Sequence, residues 1–291
     1  MNIGYQLEDE NIVDYSLWRL PGIDIDLRGP VPELESDGYI VTIGAAQTFG
    51  RFVSEPYPEI ISQRIGLPAL NLGVSGAGPS FFVQRPKLLS IINNAKLAIV
   101  QVMSGRSSSN SLIEVQENQG IVKRVNAAAD VKGVFAETAY LELLAELSPV
   151  ELSELRAEIR FRALMEMQDL LRRITIPRVV FWFSDRDLDY SENLRDLSGY
   201  WGGYPHFLNG QWLEAISPCA EATVKLVCSD GLPQPLFDRL TGEPVKIWPE
   251  DKFPSIKFRC HNRYYPSPEM HAAAAAALEK SVFSLLADRL S

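Results

Sequence analysis

A chain of 291 residues with 46% hydrophobic and 22% charged content is long enough for one substantial core with an insertion. Its formal charge of -9 leaves no basic face to release counterions from phosphates, so nucleic acid is not an expected partner. No apolar run approaches the roughly 20 residues of a membrane-spanning helix, and Met1–Trp18 is polar rather than signal-like. A cytoplasmic protein without a membrane span is therefore expected.

Residues 1–37 carry several acids, Gly22, Gly29 and three prolines without a long period, and are read as an irregular arm without chemistry of its own. Residues 38–290 are read as a single domain. Its first strand is Tyr39–Ile43, a β-branched run stopped by Gly44. A helix near Pro58–Ile65 follows, then Leu70–Leu72 and a glycine-rich loop from Gly73 to Ser80. One helix is predicted over Phe81–Ala95, and the apolar run Leu97–Met103 predicts a buried strand ending at Ser104-Gly105-Arg106.

Between about 120 and 175 the spacing of Leu152, Leu155, Ile159, Leu170 and Ile174 predicts a helical hairpin, with Ser148 and Glu151 as a capping box and Pro149 at the first helical position. Val179–Phe183 resumes the strand pattern. Residues 188–262 are read as long functional loops with one strand at Ala222–Val227. A last helix, capped by Ser267, starts at Pro268 and runs through six alanines to Leu290. Strands alternating with helices predict right-handed crossovers and a parallel sheet between helical layers, an α/β three-layer sandwich.

Ligands of such sheets bind beyond the carboxyl ends of the strands. Those ends carry Gly44-Ala45-Ala46-Gln47-Thr48, Gly73 to Ser80, and Ser104 to Asn110, with His271 at the start of the last helix. This order resembles the SGNH/GDSL hydrolase superfamily over residues 39–110 and 176–290. The resemblance implies a flavodoxin-like fold, an anion-stabilising role for the Gly73 backbone N–H, and a catalytic role for His271. Alanine stands where that superfamily has its nucleophilic serine, so covalent chemistry at that position is excluded. Gln47 resembles the turn of capsule-polysaccharide acetyltransferase-like proteins, which implies polysaccharide biosynthesis. The superfamily's acid before the histidine is Pro268 here, leaving Asp185, Asp187 and Glu269 as candidates to orient His271.

His271 in the first turn of a helix is expected to stay neutral and serve as a base. Gln47 and Arg106 complete the expected catalytic set. Arg51, Thr48, Gly73, Ser75, Gly76, Ser104 and Asn110 are the expected substrate- or anion-binding residues; guanidinium groups match carboxylate, phosphate and sulfate. Ser75, Ser104 and Ser107 are also displaced-nucleophile candidates, against the plainer reading of serines bonding loop backbone. Tyr200–Tyr204 and His206 offer ring faces for a sugar, or simply pack a lid.

The leading expectation is a transferase moving an acyl or sulfuryl group to a hydroxyl of a glycan or small molecule, with acyl-CoA or a sulfonucleotide as co-substrate. The alternatives are an SGNH-type esterase or deacetylase, and a non-catalytic binding module of the same fold. No tightly bound cofactor is expected. Cys219, Cys228 and Cys260 form no CxxC pair, and with the three histidines they lack metal-ligand spacing.

Overall fold

The computed structural model describes residues 2–34, 38–116, 120–128, 130–247 and 260–287. Helix α1 (Ile3–Asp9) is followed by β1 (Ile40–Gly44), α2 (Ala46–Phe49), α3 (Tyr57–Ile65), β2 (Ala69–Gly73), α4 (Pro79–Val83), α5 (Pro86–Asn93) and β3 (Leu97–Gln101). Then come β4 (Ile113–Val115), β5 (Ile121–Arg124), β6 (Val134–Phe135), α6 (Ala136–Glu146), α7 (Pro149–Arg173) and β7 (Arg178–Ser184). The chain ends with α8 (Leu197–Trp201), α9 (Gly210–Ile216), β8 (Ala222–Val227), β9 (Gln234–Pro235), β10 (His261–Asn262) and α10 (Pro268–Ala287).

The central sheet is parallel throughout, in the order β2-β1-β3-β7-β8. Strands β1, β2, β3 and β7 are covered on both faces, which is why they read as mainly apolar runs, with Thr42, Asn71 and Gln101 among their polar residues. Val41, Ile43, Ala98, Val100, Val180 and Trp182 face one helical layer, where residues of α4, α5, α7 and α9 pack. Ile40, Leu97, Ile99, Val179, Phe181 and Phe183 face α3 and α10 on the other. Full burial of one such phenylalanine is worth about 1.5–3 kcal/mol. The small side chains of Ala274 and Ala275, both fully buried, let α10 lie close to the sheet. The predicted three-layer α/β architecture is the one observed.

Three details differ from the sequence reading. Phe81–Ala95 is two helices, because Pro86 has no N–H to continue α4 and instead starts α5. The insertion opens with an antiparallel β4-β5-β6 sheet before its helices. Its core is shared with Tyr200, Trp201 and Phe207 of the long loop region. The N-terminal arm is not irregular throughout: α1 docks on the domain and buries Asn2, Tyr5 and Asp9. The Ser148 capping box forms as predicted, and the Ser267 hydroxyl accepts the Met270 N–H at 3.2 Å. Leu290 lies outside the described residues.

Candidate functional site

The strand order reverses direction at β1, with β2 on one side and β3 on the other, so the crevice of this topology opens at the carboxyl ends of β1 and β3. Gly44 ends β1, and Ala45 and Ala46 turn the chain directly into α2. A Cβ on Gly44 would lie 2.2 Å from Thr48 Oγ1 and 2.4 Å from Gln101 Oε1. Thr48 donates to Gln101 Oε1 at 2.7 Å and lies 3.0 Å from the Tyr57 hydroxyl, while Ala45 N–H donates to the same Gln101 oxygen at 3.3 Å. Thr48 thus belongs to a buried polar chain rather than to an open binding surface. Gln47 is 2% exposed, and its Oε1, like Gln101 Nε2, has no hydrogen-bond partner among the described residues.

His271 lies at the far end of this chain. Its ring is fully buried, stacked on Tyr57 at 5.9 Å and edge-on to Phe183 at 5.4 Å. The Tyr57 backbone N–H donates to Nδ1 at 3.1 Å. Desolvation, helped by the charge of Arg28, lowers its pKa to about 3, so the ring is neutral as the sequence implied. The tautomer is the opposite of what a base at Nε2 requires. With Nδ1 accepting, the proton sits on Nε2, which therefore donates. Turning the ring over would set Cδ2 against the Tyr57 N–H and lose that bond. None of Asp185, Asp187 or Glu269 bonds the ring; the Tyr57 backbone fills the orienting role, and Nε2 has no partner among the described residues. Asp185 lies across a cavity of only about 10 Å³ that Gln47, Tyr204, Tyr264 and Met270 also line.

The glycine-rich loop is closed by the N-terminal arm. A Cβ on Gly73 would meet the Phe49 backbone nitrogen at 2.1 Å, so glycine is required there by the approach of α2. Its N–H, the expected anion donor, is taken by Asn71 Oδ1 at 2.9 Å. Ser75 N–H donates to Asn2 Oδ1 at 3.1 Å, and Ser75 Oγ to the Tyr5 hydroxyl at 2.7 Å. Gly76 supplies the positive φ of the same turn, +70°.

Arg51 is likewise committed. Nε and Nη2 grip both carboxylate oxygens of Asp9 at 2.8 and 2.9 Å, and Nη2 also reaches Glu8 at 2.8 Å. It anchors α1 and is no open anion clamp. Asn110 also leaves the crevice, donating to the Tyr140 hydroxyl at 3.1 Å and capping the N–H groups of Leu112 and Ile113.

Arg106 is different. Its guanidinium lies 5.7 Å over the Trp201 ring and donates to the Tyr264 hydroxyl at 3.3 Å. No ion-pair partner for it occurs among the described residues, whereas Arg51, Arg156, Arg160 and Arg178 each pair with a carboxylate. Burial works against its charge, but the nearby phenols of Tyr264, Tyr265, Tyr204 and Tyr5 hold its pKa above the ordinary arginine value. Beside it, Ser104 Oγ and His206 Nδ1 are 2.9 Å apart and buried. The His206 ring lies 4.7 Å from Trp201 and stacks on Tyr264 at 6.1 Å. Desolvation first, then Arg106 and Arg186, push its pKa well below that of a free histidine. Ser107 sits in the same turn, donating its N–H to the Ser104 carbonyl at 3.0 Å.

Sequence reasoning identified Ser104, Arg106 and His206 singly but not as one cluster, and it missed Asn2, Tyr5, Asp9, Tyr57, Gln101 and Tyr264. A polar residue just past a strand end was the available signal for Ser104. For Asn2 and Asp9, in an acidic arm, there was none.

Solved structures similar to this chain include a carbohydrate esterase family 2 enzyme with a carbohydrate binding domain from Corynascus thermopiles (Myceliophthora fergusii), at 11% identity and TM-score 0.41, covering 89% of this chain and 69% of that one. A putative lipolytic protein of the G-D-S-L family from Desulfitobacterium hafniense is 11% identical with TM-score 0.38, covering 84% and 99%. A catalytic mutant of an acetylxylan esterase from Geobacillus stearothermophilus is 13% identical with TM-score 0.38, covering 85% and 94%. At such identities and TM-scores these likenesses bear on no residue of the site. No curated protein matches the chain. Residues 1–286 match one family model, and the chain belongs to that family, described as Domain of unknown function (DUF6473).

Proposed function

We propose that this protein is a binding module of a hydrolase-like fold, which holds the anionic group of a small molecule or glycan at Arg106 and carries no covalent chemistry at the β1 turn. The observation that carries the reading is the Arg106 guanidinium, crowded by rings and without a carboxylate partner among the described residues. A half-buried guanidinium without a carboxylate partner can take up a negative group, and its planar donors match carboxylate, sulfate or phosphate. Tyr264, 36% exposed, adds a ring face for a sugar or base. Support for a non-covalent role comes from Ala45 and Ala46, from the occupied N–H groups of Gly73 and Ser75, and from the proton on His271 Nε2. The same proton counts against direct group transfer with His271 as base.

The test is titration of wild-type protein with acyl-CoA, a sulfonucleotide, sugar nucleotides and uronate oligosaccharides. Arg106→Gln is expected to weaken whichever ligand binds by at least about tenfold, 1.4 kcal/mol. Unchanged affinity in that variant refutes the reading.

One observation favours a second reading, an esterase or deacetylase using Ser104 and His206: their 2.9 Å buried contact. Ser104 Oγ would attack the ester carbonyl while His206 Nδ1 takes its proton and passes it to the departing alkoxide. Water would then release the acid and restore the hydroxyl. Labelling by a fluorophosphonate that disappears in Ser104→Ala supports this reading, and the absence of labelling in wild type removes it.

A further inference from the structure

A second buried arginine stands at the opposite side of β1 from the Arg106 crevice. Arg28 is 3% exposed, and its guanidinium donates only to carbonyl oxygens: Gly50 at 3.0 Å, Val53 at 2.6 Å and Ser54 at 2.9 Å. Its Nε is buried and has no hydrogen-bond partner among the described residues. No carboxylate forms an ion pair with it among the described residues.

Arg28 lines a cavity of about 180 Å³ beside β2, the edge strand of the central sheet, together with Pro30, Pro56, Pro58, Glu59 and Asn71. The prolines make walls that are rigid and offer no N–H. Glu59 is the acid facing the cavity. Desolvation first, then the charge of Glu55, raises its pKa, while Arg28 lowers it.

We propose that this cavity is a binding site for a small oxyanion, a short carboxylate or inorganic phosphate, held by Arg28, which forms no carboxylate ion pair among the described residues. At about 180 Å³ the cavity takes either ion with room for water. The site is independent of Arg106, and the Pro56-Tyr57-Pro58 wall gives it a direct structural link to His271, whose Nδ1 is bonded by the Tyr57 N–H.

Titration of the full chain with sodium acetate and with inorganic phosphate, at constant ionic strength in chloride, tests this by calorimetry. Saturable binding of either anion is expected. Arg28→Met weakens it by at least about tenfold, and Glu59→Gln tightens it by about threefold or more through loss of a like charge. Because Arg28→Met also removes three loop-tethering bonds, Ser62→Phe, which fills the cavity from the exposed side of α3, is a second variant expected to abolish binding. Arg106→Gln leaves it unchanged. The proposal is overturned if neither anion binds saturably, if Ser62→Phe and Glu59→Gln leave affinity unaltered, or if Arg106→Gln abolishes it. That last result would place the anion in the strand-end crevice.

Discussion

His271 makes a quantitative prediction about stability against pH. An unfolded histidine titrates near 6.5, and in the folded protein the pKa is lowered to about 3. The unfolded chain therefore binds the proton more readily throughout the interval between these values, and stability rises with pH there. The contribution is fully present above 6.5, is lost as pH falls, and stops changing below about 3. Between pH 7 and 4.5 the loss is about 2–3 kcal/mol, up to about half of a small domain's margin. His206 acts in the same direction, so the His271 share is isolated by comparison with a variant. His271→Gln keeps an acceptor for the Tyr57 N–H and has no titrating group. Urea unfolding at both pH values should show wild type losing about 2–3 kcal/mol more than the variant. Equal losses in the two proteins would refute the argument. So would an NMR titration of His271 with a midpoint near 6.5, or a proton found on Nδ1.

Arg51→Ala should cost about 3–5 kcal/mol by urea unfolding, since it leaves the buried Asp9 carboxylate uncompensated; Asp9→Asn should cost less, because Glu8 still pairs with Arg51, and the double variant should cost less than the sum. Ala46→Ser places a hydroxyl at the β1 turn, but with the Gly73 and Ser75 N–H groups already occupied it should give no measurable hydrolysis of an activated acetyl ester. Gly73→Ala drives a methyl against the Phe49 backbone and should lower stability by about 1–3 kcal/mol or more, read from the thermal midpoint. Ser148→Ala removes an exposed capping box and should cost about 1 kcal/mol.

The sheet was legible because its information is local. Val179–Phe183 is apolar without interruption and Leu97–Met103 is broken only by Gln101, which a strand covered on both faces sustains. The capping boxes and the proline at a helix start are equally local. Pro86 shows the limit: an apolar period continues across it, and a missing N–H decides the break. The short strands β4 to β6 offered little periodicity to read.

The site was legible in its residues and illegible in its pairings. Arg51 and Asp9 are 42 positions apart, Ser75 and Asn2 73, Ser104 and His206 102, and Tyr57 and His271 214. A sequence shows that an arginine or histidine stands at a strand end, but its chemistry depends on which group meets it there. Two arginines that read alike, Arg51 and Arg106, part company because α1 delivers Asp9 to one and nothing described delivers a carboxylate to the other. The same arm occupies the glycine loop through Asn2 and Tyr5. A stretch that looked chemically empty thus determines which strand end remains available, and moves attention from the alanine turn at β1 to the cluster beyond β3.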